Sequence, residues 1–546
     1  MGQGDKEAIL TAASIKDSMW RPTRSFKVLA ALLLATILCI SGTLAYKSRR
    51  DRRVGLGSFG ADAPEMSFHN TVPADPKRAS AVRAAMKHAW DSYVTYAWGY
   101  DELDPVARRG TNGFGGMGVT VIDSLGTLKI MGLDEEFEKG SEWFKKNVHF
   151  KKMRHVSLFE TNIRFLGGLL SVYGLTGDEA YKAMAEDLGT RMLPAFSSAS
   201  GYPYNNIDLS SGSVSRRGSV SLAEVGTLQL EFLYLAYVTG DYKFAEPAMK
   251  VLRVLDKQDT TINRGLGSQS LNAESGRYTE ARWTLGAMAD SYYEYLLKLD
   301  LFTGQHSTYG FRRMWESAAE LMREHSVQEV DGKSMVVVGE LHRGTPNRKM
   351  DHLACFSGGM FAMAHEWEEG SENARIGAGI TETCYESYRQ MRTGISPEVF
   401  QVSQSGDVSA VVSHNLLRPE TVESIMILYR LTGDEKFRDW GWEIFQAFEK
   451  HSRLATGYAG VRNVNANDVT HDHTQESFFM AETLKYLYLL FESSDVVPLT
   501  KFVFNTEAHP LPIPPGHFWS ESGMECTFPG ARRKESVCGT SEASNT

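Results

Sequence analysis

Four acidic residues recur at matching distances ahead of four glycines. Glu160 precedes Gly177 by 17 residues, Glu224 precedes Gly240 by 16, Asp290 precedes Gly304 by 14, and Glu420 precedes Gly433 by 13. Each acid falls near the start of the helix that its glycine ends, where the positive helix terminus favours a carboxylate. One such acid is ordinary; four at matching offsets predict a cluster. If the helices form an inner ring and run the same way, the carboxylates meet at one rim of a cavity, some 20–25 Å from the glycines. Converging carboxylates suit glycosidic bond hydrolysis, in which one acid protonates the leaving oxygen while another carboxylate activates water. The last of the four opens LLRPETVES, Leu416 to Ser424. There Pro419 is expected in the first helical turn, with Glu420 and Glu423 on one face. Arg164 lies one turn after Glu160 and Arg418 just before Glu420; each could clamp sugar hydroxyls or neutralise its neighbour. Trp90, Trp98, Phe159, Trp283, Phe478 and Phe479 could stack on sugars, although core packing is the commoner use of such rings.

The elements that must position these residues are helical. The stops KIMGLDEEF, VYGLTGDEAY, AYVTGDYKF, LDLFTGQ and YRLTGDEKF each run from apolar residues to a Gly, at 132, 177, 240, 304 and 433, often followed by Asp to start the next helix. Their separations of 45, 63, 64 and 129 residues each have room for two helices and a loop. Variable spacing and long intervening loops suit a closed ring of paired helices better than a solenoid. The expected class is therefore all-α, an (α/α) barrel with a few short strands; Ser334 to Gly339 is the clearest of these.

The chain has 546 residues and a net charge of −9. Residues 1–53 hold ten Lys/Arg against four Asp/Glu, or +6, which leaves −15 on the remainder. An acidic body makes nucleic acid an unsuitable partner. The stretch 28–46 has 19 uncharged residues followed directly by basic ones, which reads as an uncleaved transmembrane anchor. The expected organisation is a cytoplasmic tail over 1–27, the transmembrane signal anchor over 28–46, a stem over 47–76, a catalytic domain over 77–511 and a polar tail over 512–546. A bridge between Cys355 and Cys384 would add roughly 3–4 kcal/mol in the chain-entropy model, the other reading being two buried thiols. Cys39 lies in the anchor, and Cys526 and Cys538 lie in the tail. His471-Asp472-His473 is read as a solvated loop, since no further zinc-ligand motif accompanies it.

Longer stretches carry a resemblance. AWDSYVTYAWGYDEL, SLFETNIRFLGGLLS, LAEVGTLQLEF, ADSYYEYLLK, DHLACFSGG, LLRPETVES, ESFFMAETLKYLYLLF and VFNTEAHPL together resemble the class I α-1,2-mannosidases of glycoside hydrolase family 47. The resemblance spans nearly everything from Lys77 to Leu511. It implies an (αα)7 barrel, inversion at the anomeric carbon, one Ca²⁺ at the barrel floor, and a Cys355–Cys384 disulfide. Glu160 is then the general acid acting through a water, Asp290 a second acid or its electrostatic partner, and Glu420 the base. Glu398 matches a further acid with a proposed catalytic role. Thr506 matches the direct Ca²⁺ ligand, with waters completing the shell. Arg164, Glu224, Arg418, Glu423, Phe478, Glu482 and Glu507 match positions lining the sugar and metal site.

The resemblance implies a single-pass type II protein of the Golgi or endoplasmic reticulum membrane, its catalytic body luminal. The implied substrates are oligomannose N-glycans on glycoproteins, and no obligate protein partner is inferred. One position departs from the single-mannose endoplasmic-reticulum members, which carry Arg two residues before the catalytic Asp. Met288 stands there, as an apolar residue does in enzymes that trim several mannoses. The competing readings are a glycan-binding quality-control factor with weak or no hydrolysis and an (α/α) toroid acting on other polysaccharides.

Overall fold

The computed structural model describes residues 66–515 except 217, 259, 261–264, 305–309 and 365–371. The stretch 28–46, Cys39, Cys526 and Cys538 lie outside the described residues, among which no helix is long and apolar enough to cross a membrane.

The glycine stops end helices as expected. Gly132, Gly177, Gly240, Gly304 and Gly433 all have φ between 63° and 78°, the left-handed region that terminates a helix without a Cβ penalty. After two of them an Asp caps the next helix: Asp178 accepts from the Ala180 N–H and Asp434 from the Lys436 N–H.

The longer helices are α1 (Pro76–Tyr96), α2 (Val119–Ile130), α3 (Asp134–Asn147), α4 (Gly167–Thr176), α5 (Glu179–Met192), α6 (Gln229–Thr239), α7 (Ala245–Leu255), α8 (Asp290–Phe302), α9 (Phe311–His325), α10 (Phe356–Met363), α11 (Glu372–Arg389), α12 (Glu420–Thr432), α13 (Glu435–His451) and α14 (Leu484–Phe491). They pack in pairs: α2 on α3, α4 on α5, α6 on α7, α8 on α9, α10 on α11, α12 on α13, and α14 back on α1. The first member of each pair also touches the next pair's first member, and a π-helical turn before α14 returns to α2, so these helices close a ring.

Sequence decides which member lies inside. In α12 every residue from Glu420 to Leu431 is buried, as is Val119 to Leu128 of α2. In α9 the buried residues are Phe311, Met314, Trp315, Ala318, Ala319 and Met322, the single stripe of an outer helix. The Cys355–Cys384 disulfide ties the start of α10 to α11.

Among the described residues there are eight sheets of two or three short strands, more than the sequence leads one to expect. Strands of two to five residues are too short to display a readable alternation. They position the site nonetheless. Lys349–Asp351 pairs with Val399–Val402, and the His352 N–H donates to the Glu398 carbonyl at 2.8 Å. A hairpin of Phe502–Phe504 and Pro510–Pro512 packs against α4 and α8 and holds the turn 505–509 between its strands.

Candidate active site

The inner helices surround a cavity of about 360 Å³ lined by Glu160, Glu224, Asp290 and Glu420, the four acids singled out by their offsets. Arg164, Arg418, Glu423, Phe478, Glu482, Thr506 and Glu507 line it too. Glu398 does not. It stands behind the wall, where Oε2 accepts from Arg418 Nε at 2.9 Å and Oε1 from the Leu416 N–H. Its place in this structure is that of a support for Arg418.

The local chain explains each position. Asp290 and Glu420 are the first residues of α8 and α12. Pro419 falls one residue earlier than expected, at the N-cap of α12, and its carbonyl accepts from the Glu423 N–H. Glu160 closes a short turn, Leu158–Glu160, that runs through a π-helical turn, Thr161–Leu166, into α4. Glu224 belongs to a separate short helix, Leu222–Gly226, ahead of α6; it forms a capping box with Ser221 and accepts from Asn205. Phe479–Thr483, just ahead of α14, is a second π-helical turn and carries Glu482. Such turns widen a helix locally and recur at functional sites.

Most of the aromatic residues are not in the cavity. Trp90, Trp283 and Phe479 are buried in the core, and Trp98 packs edge-on against Trp90 and Trp143. Of the six, only Phe159 and Phe478 face the cavity. Residue type alone does not say which face of an element a ring occupies. In the His471-Asp472-His473 segment, His471 bonds the His451 carbonyl, His473 meets Asp104 at 3.1 Å, and Asp472 accepts from the Gly460 N–H.

Electrostatics separate the carboxylates. Burial pushes Asp290 up to about 7, helped by the charges of Glu294, Glu420 and Asp351. Burial acts on Glu420 in the same direction, but the hydrogen bond and charge of His352 and the charge of Arg418 win and hold it below the usual range. His352 Nδ1 lies 2.6 Å from Glu420 Oε2, and its Nε2 is 2.8 Å from the Tyr388 hydroxyl. Glu160 is ion-paired instead, with Oε2 2.7 Å from Arg164 Nε. The cavity therefore holds one carboxyl that stays protonated to near neutrality beside one that ionises readily.

The floor is rich in oxygen donors. Thr506 Oγ1 donates to Glu294 Oε2 at 2.9 Å, and its N–H points at the Tyr295 hydroxyl. Asn505 fixes the turn by accepting from the Glu507 and His509 N–H groups and donating to Glu231 and the Ile163 carbonyl. Burial raises Glu482 and Glu507 well above the usual carboxylate range, with the charges of Glu507, Glu420 and Glu423 adding to it at Glu482, and those of Asp123 and Glu160 adding at Glu507 against the charge of Arg164. Glu423 is pushed up to about 8 by burial, against the opposing charge of Lys298. Hard oxygen donors whose ionised forms are disfavoured by burial and by one another's charge suit a divalent cation such as Ca²⁺. Among the described residues no three His, Cys, Asp or Glu side chains converge tightly enough to hold a metal by themselves. An ion here would need the Thr506 oxygens and water.

The model of the family "Glycosyl hydrolase family 47" matches residues 85–513. The chain belongs to this family. It is 42% identical over 478 residues to "Mannosyl-oligosaccharide 1,2-alpha-mannosidase IB" of Mus musculus, covering 85% of this chain and 72% of that relative. It is also 42% identical over 454 residues to "Endoplasmic reticulum mannosyl-oligosaccharide 1,2-alpha-mannosidase" of Homo sapiens, covering 80% of this chain and 64% of that relative. The solved "alpha-1,2-mannosidase from Trichoderma reesei" superposes with a TM-score of 0.77 at 29% identity, over 81% of this chain and 100% of that one.

Several site residues escaped the reading of the sequence. Asp123 is wholly buried in α2 and accepts from Ser477 at 2.5 Å and Arg164 at 3.3 Å. A lone acid in the apolar run VTVIDSLGTL was the available signal, because a buried carboxylate requires partners. Glu294 and Lys298, an ion pair one turn apart on α8, were hidden in the same way. Nothing local marks His352, which reaches Glu420 across 68 residues of chain.

Proposed function

We propose that this glycosyl hydrolase removes terminal α-1,2-linked mannose from Man9GlcNAc2-type N-glycans, with inversion, in an (αα)7 barrel. The observation that carries the reading is the convergence of Asp290 and Glu420 on one cavity, where burial raises the first and His352 and Arg418 hold down the second. The printed activities of the relatives supply the sugar and the linkage. In this reading a terminal mannose stands on the floor turn of Thr506, with its anomeric carbon between the two acids. Asp290 supplies the proton to the departing glycosidic oxygen. Glu420, kept ionised by His352, takes a proton from the water that attacks the opposite face of the ring. Glu160, bonded to Arg164 Nε at 2.7 Å, orders water beside Asp290. Arg418, braced by Glu398 and stacked 5.3 Å from the Phe478 ring, meets sugar hydroxyls.

Ca²⁺ fits the floor donors. Thr506 would hold it, and Glu294, Glu423, Glu482 and Glu507 would hold the water around it. When bound, it supplies positive charge to orient sugar hydroxyls. The apolar stretch 28–46 supports a single membrane anchor, and the family resemblance, with the endoplasmic-reticulum relative, supports a type II protein of the Golgi or endoplasmic reticulum with a luminal catalytic body.

Incubating the protein with Man9GlcNAc2 tests the reading. Free mannose should appear first as the β-anomer by NMR, and Glu420→Gln should slow its release by roughly 10²- to 10⁴-fold while still binding the glycan. Release of the α-anomer, or binding without release by the wild type, would overturn it. The second outcome would instead support a glycan-binding quality-control role.

A further inference from the structure

Arg164 is bonded through Nε and Nη1 to four side chains. Nε meets Glu160 at 2.7 Å, while Nη1 meets Ser477 at 3.1 Å, Asp123 at 3.3 Å and Glu507. One flat face is covered as well: the guanidinium carbon sits 4.9 Å from the centroid of the Phe114 ring. Arg418 is built the same way, its edge on Glu398 and its face on Phe478. Phe478 lines the cavity and was legible in the sequence, whereas Phe114 was not.

Phe114 is half-buried and comes from the segment GFGGMG, residues 113–118, just before α2. That segment is clamped by one buried carboxylate. Asp101 Oδ2 accepts from the N–H groups of Phe114 at 2.7 Å and Gly116 at 2.8 Å; Oδ1 accepts from Met117 at 2.9 Å and Val119 at 3.3 Å. Gly115 and Gly116, with φ of 96° and 70°, make the turn that brings these groups to one point. Four charge-assisted bonds give a glycine-rich loop a single conformation, and that conformation sets the ring over Arg164.

We propose that Phe114 is a positioning residue for the hydrolysis, acting through Arg164. The ring keeps water from the guanidinium face, so the bonds from its edge to Glu160 and Glu507 stay in a low-dielectric setting where they are strong. Glu160 at the cavity wall and Glu507 at the floor are thereby held in register by one cation. The proposal rests on the hydrolase reading above.

The test compares Phe114→Leu, which keeps apolar volume, with Phe114→Tyr, which keeps the ring, each in wild-type and Arg164→Lys backgrounds. The readouts are kcat and KM on Man9GlcNAc2 and the melting temperature. Phe114→Leu should lower kcat by roughly 2- to 30-fold, the range of a desolvated cation–π contact, with KM and melting little changed. Phe114→Tyr should restore wild-type turnover. In the Arg164→Lys background, Phe114→Leu should cost nothing further, because residues that act as a unit are not additive. An unchanged kcat, a Tyr variant as poor as Leu, or an undiminished loss in the Arg164→Lys background would each overturn it. If Phe114→Leu melts early, Phe114→Met replaces it under the same expectations, and activity falling only in step with melting again overturns the proposal. A wild type that releases no mannose overturns both readings; an active wild type indifferent to Phe114 overturns this one alone.

Discussion

His352 and Glu420 meet at 2.6 Å, Nδ1 to Oε2, although 68 residues separate them in the chain. The contact joins the end of a short three-stranded sheet to the first residue of an inner helix, and it decides the protonation of the carboxylate proposed as the base. Burial alone would raise Glu420; the imidazole reverses the sign. Replacing His352 with Ala should therefore move the acid limb of kcat/KM to higher pH. The sign follows directly: a depressed carboxylate works above its folded pKa and loses function as pH falls through it, so removing the depressing group raises that threshold. The pH–rate profile of the variant checks this, and an unmoved acid limb would count against Glu420 as the base. Glu420→Gln should cost roughly 10²- to 10⁴-fold in kcat.

Asp290 sets the opposite limb. Its carboxyl is pushed up to about 7, chiefly by burial, so the proton needed by the leaving group is present below that pH and lost as pH rises through it. Activity should decline above about 7. In Glu160→Gln the residual activity should keep this alkaline limb, because Asp290 is still present. In Asp290→Asn the residual activity should lack it. The same shift makes Asp290 favour folding fully only below its unfolded pKa, a contribution lost as pH rises toward 7, so melting should soften over that window.

The acidic floor predicts a response to metal. Burial and like charge raise Glu482, Glu507 and Glu423 together, a strain that a bound divalent cation would relieve. Prolonged chelation should lower both turnover and melting temperature, and Ca²⁺ should restore both. Thr506→Ala should raise the Ca²⁺ concentration needed for that restoration. Calorimetric melts with and without chelator are the check, and a protein indifferent to chelation in both readouts would remove Thr506 as a ligand.

Glu398 and Glu420 both lie near Arg418, yet only Glu420 faces the cavity. Glu398→Gln weakens a charged hydrogen bond that braces a sugar contact, so its effect should fall mainly on KM, by roughly 10- to 100-fold. Glu420→Gln should act on kcat. Steady-state kinetics of the two variants separate support from chemistry.

The parts of this site that the sequence made legible are those set by local physics. A glycine at the end of an apolar run needs little beyond its neighbours to adopt positive φ, so the five stops ended helices as expected; Asp290 and Glu420 open the helices counted back from them, while Glu160 and Glu224 reach the cavity from separate short turns ahead of theirs. The π-helical turns at 161–166 and 479–483 are different: they depend on what packs across the ring, and nothing in TNIRFL or FMAET announces them. The same holds for the turn at Asn505 and for Phe114, whose roles come from Glu231, Asp101 and Arg164 far away in the chain. The aromatic residues mark the opposite error. Trp90, Trp98, Trp283 and Phe479 have side chains suited to sugar stacking, but a helix, a turn or a strand can bury a large ring as readily as present it to a cavity, and the core claimed them.

Met288 offers a test of product choice. It lines the cavity two residues before Asp290, is 43% exposed, and has φ of 79°, an unusual conformation for a residue with a Cβ. Its carbonyl accepts from the Ala223 N–H at 2.9 Å, which fixes the backbone, and its sulfur lies 3.7 Å from Gln269 Nε2 at the cavity wall. A thioether there offers contact without directional hydrogen bonds, so different mannose branches can enter in turn. An arginine would offer up to five N–H donors in a fixed fork and would favour the one branch whose hydroxyls match it. Wild-type protein should carry Man9GlcNAc2 through several trimmed products. Met288→Arg should accumulate a single Man8 isomer at an early rate close to wild type. A time course of product isomers reads both, and a Met288→Arg variant with an unchanged product series would show that branch choice is made elsewhere on the rim.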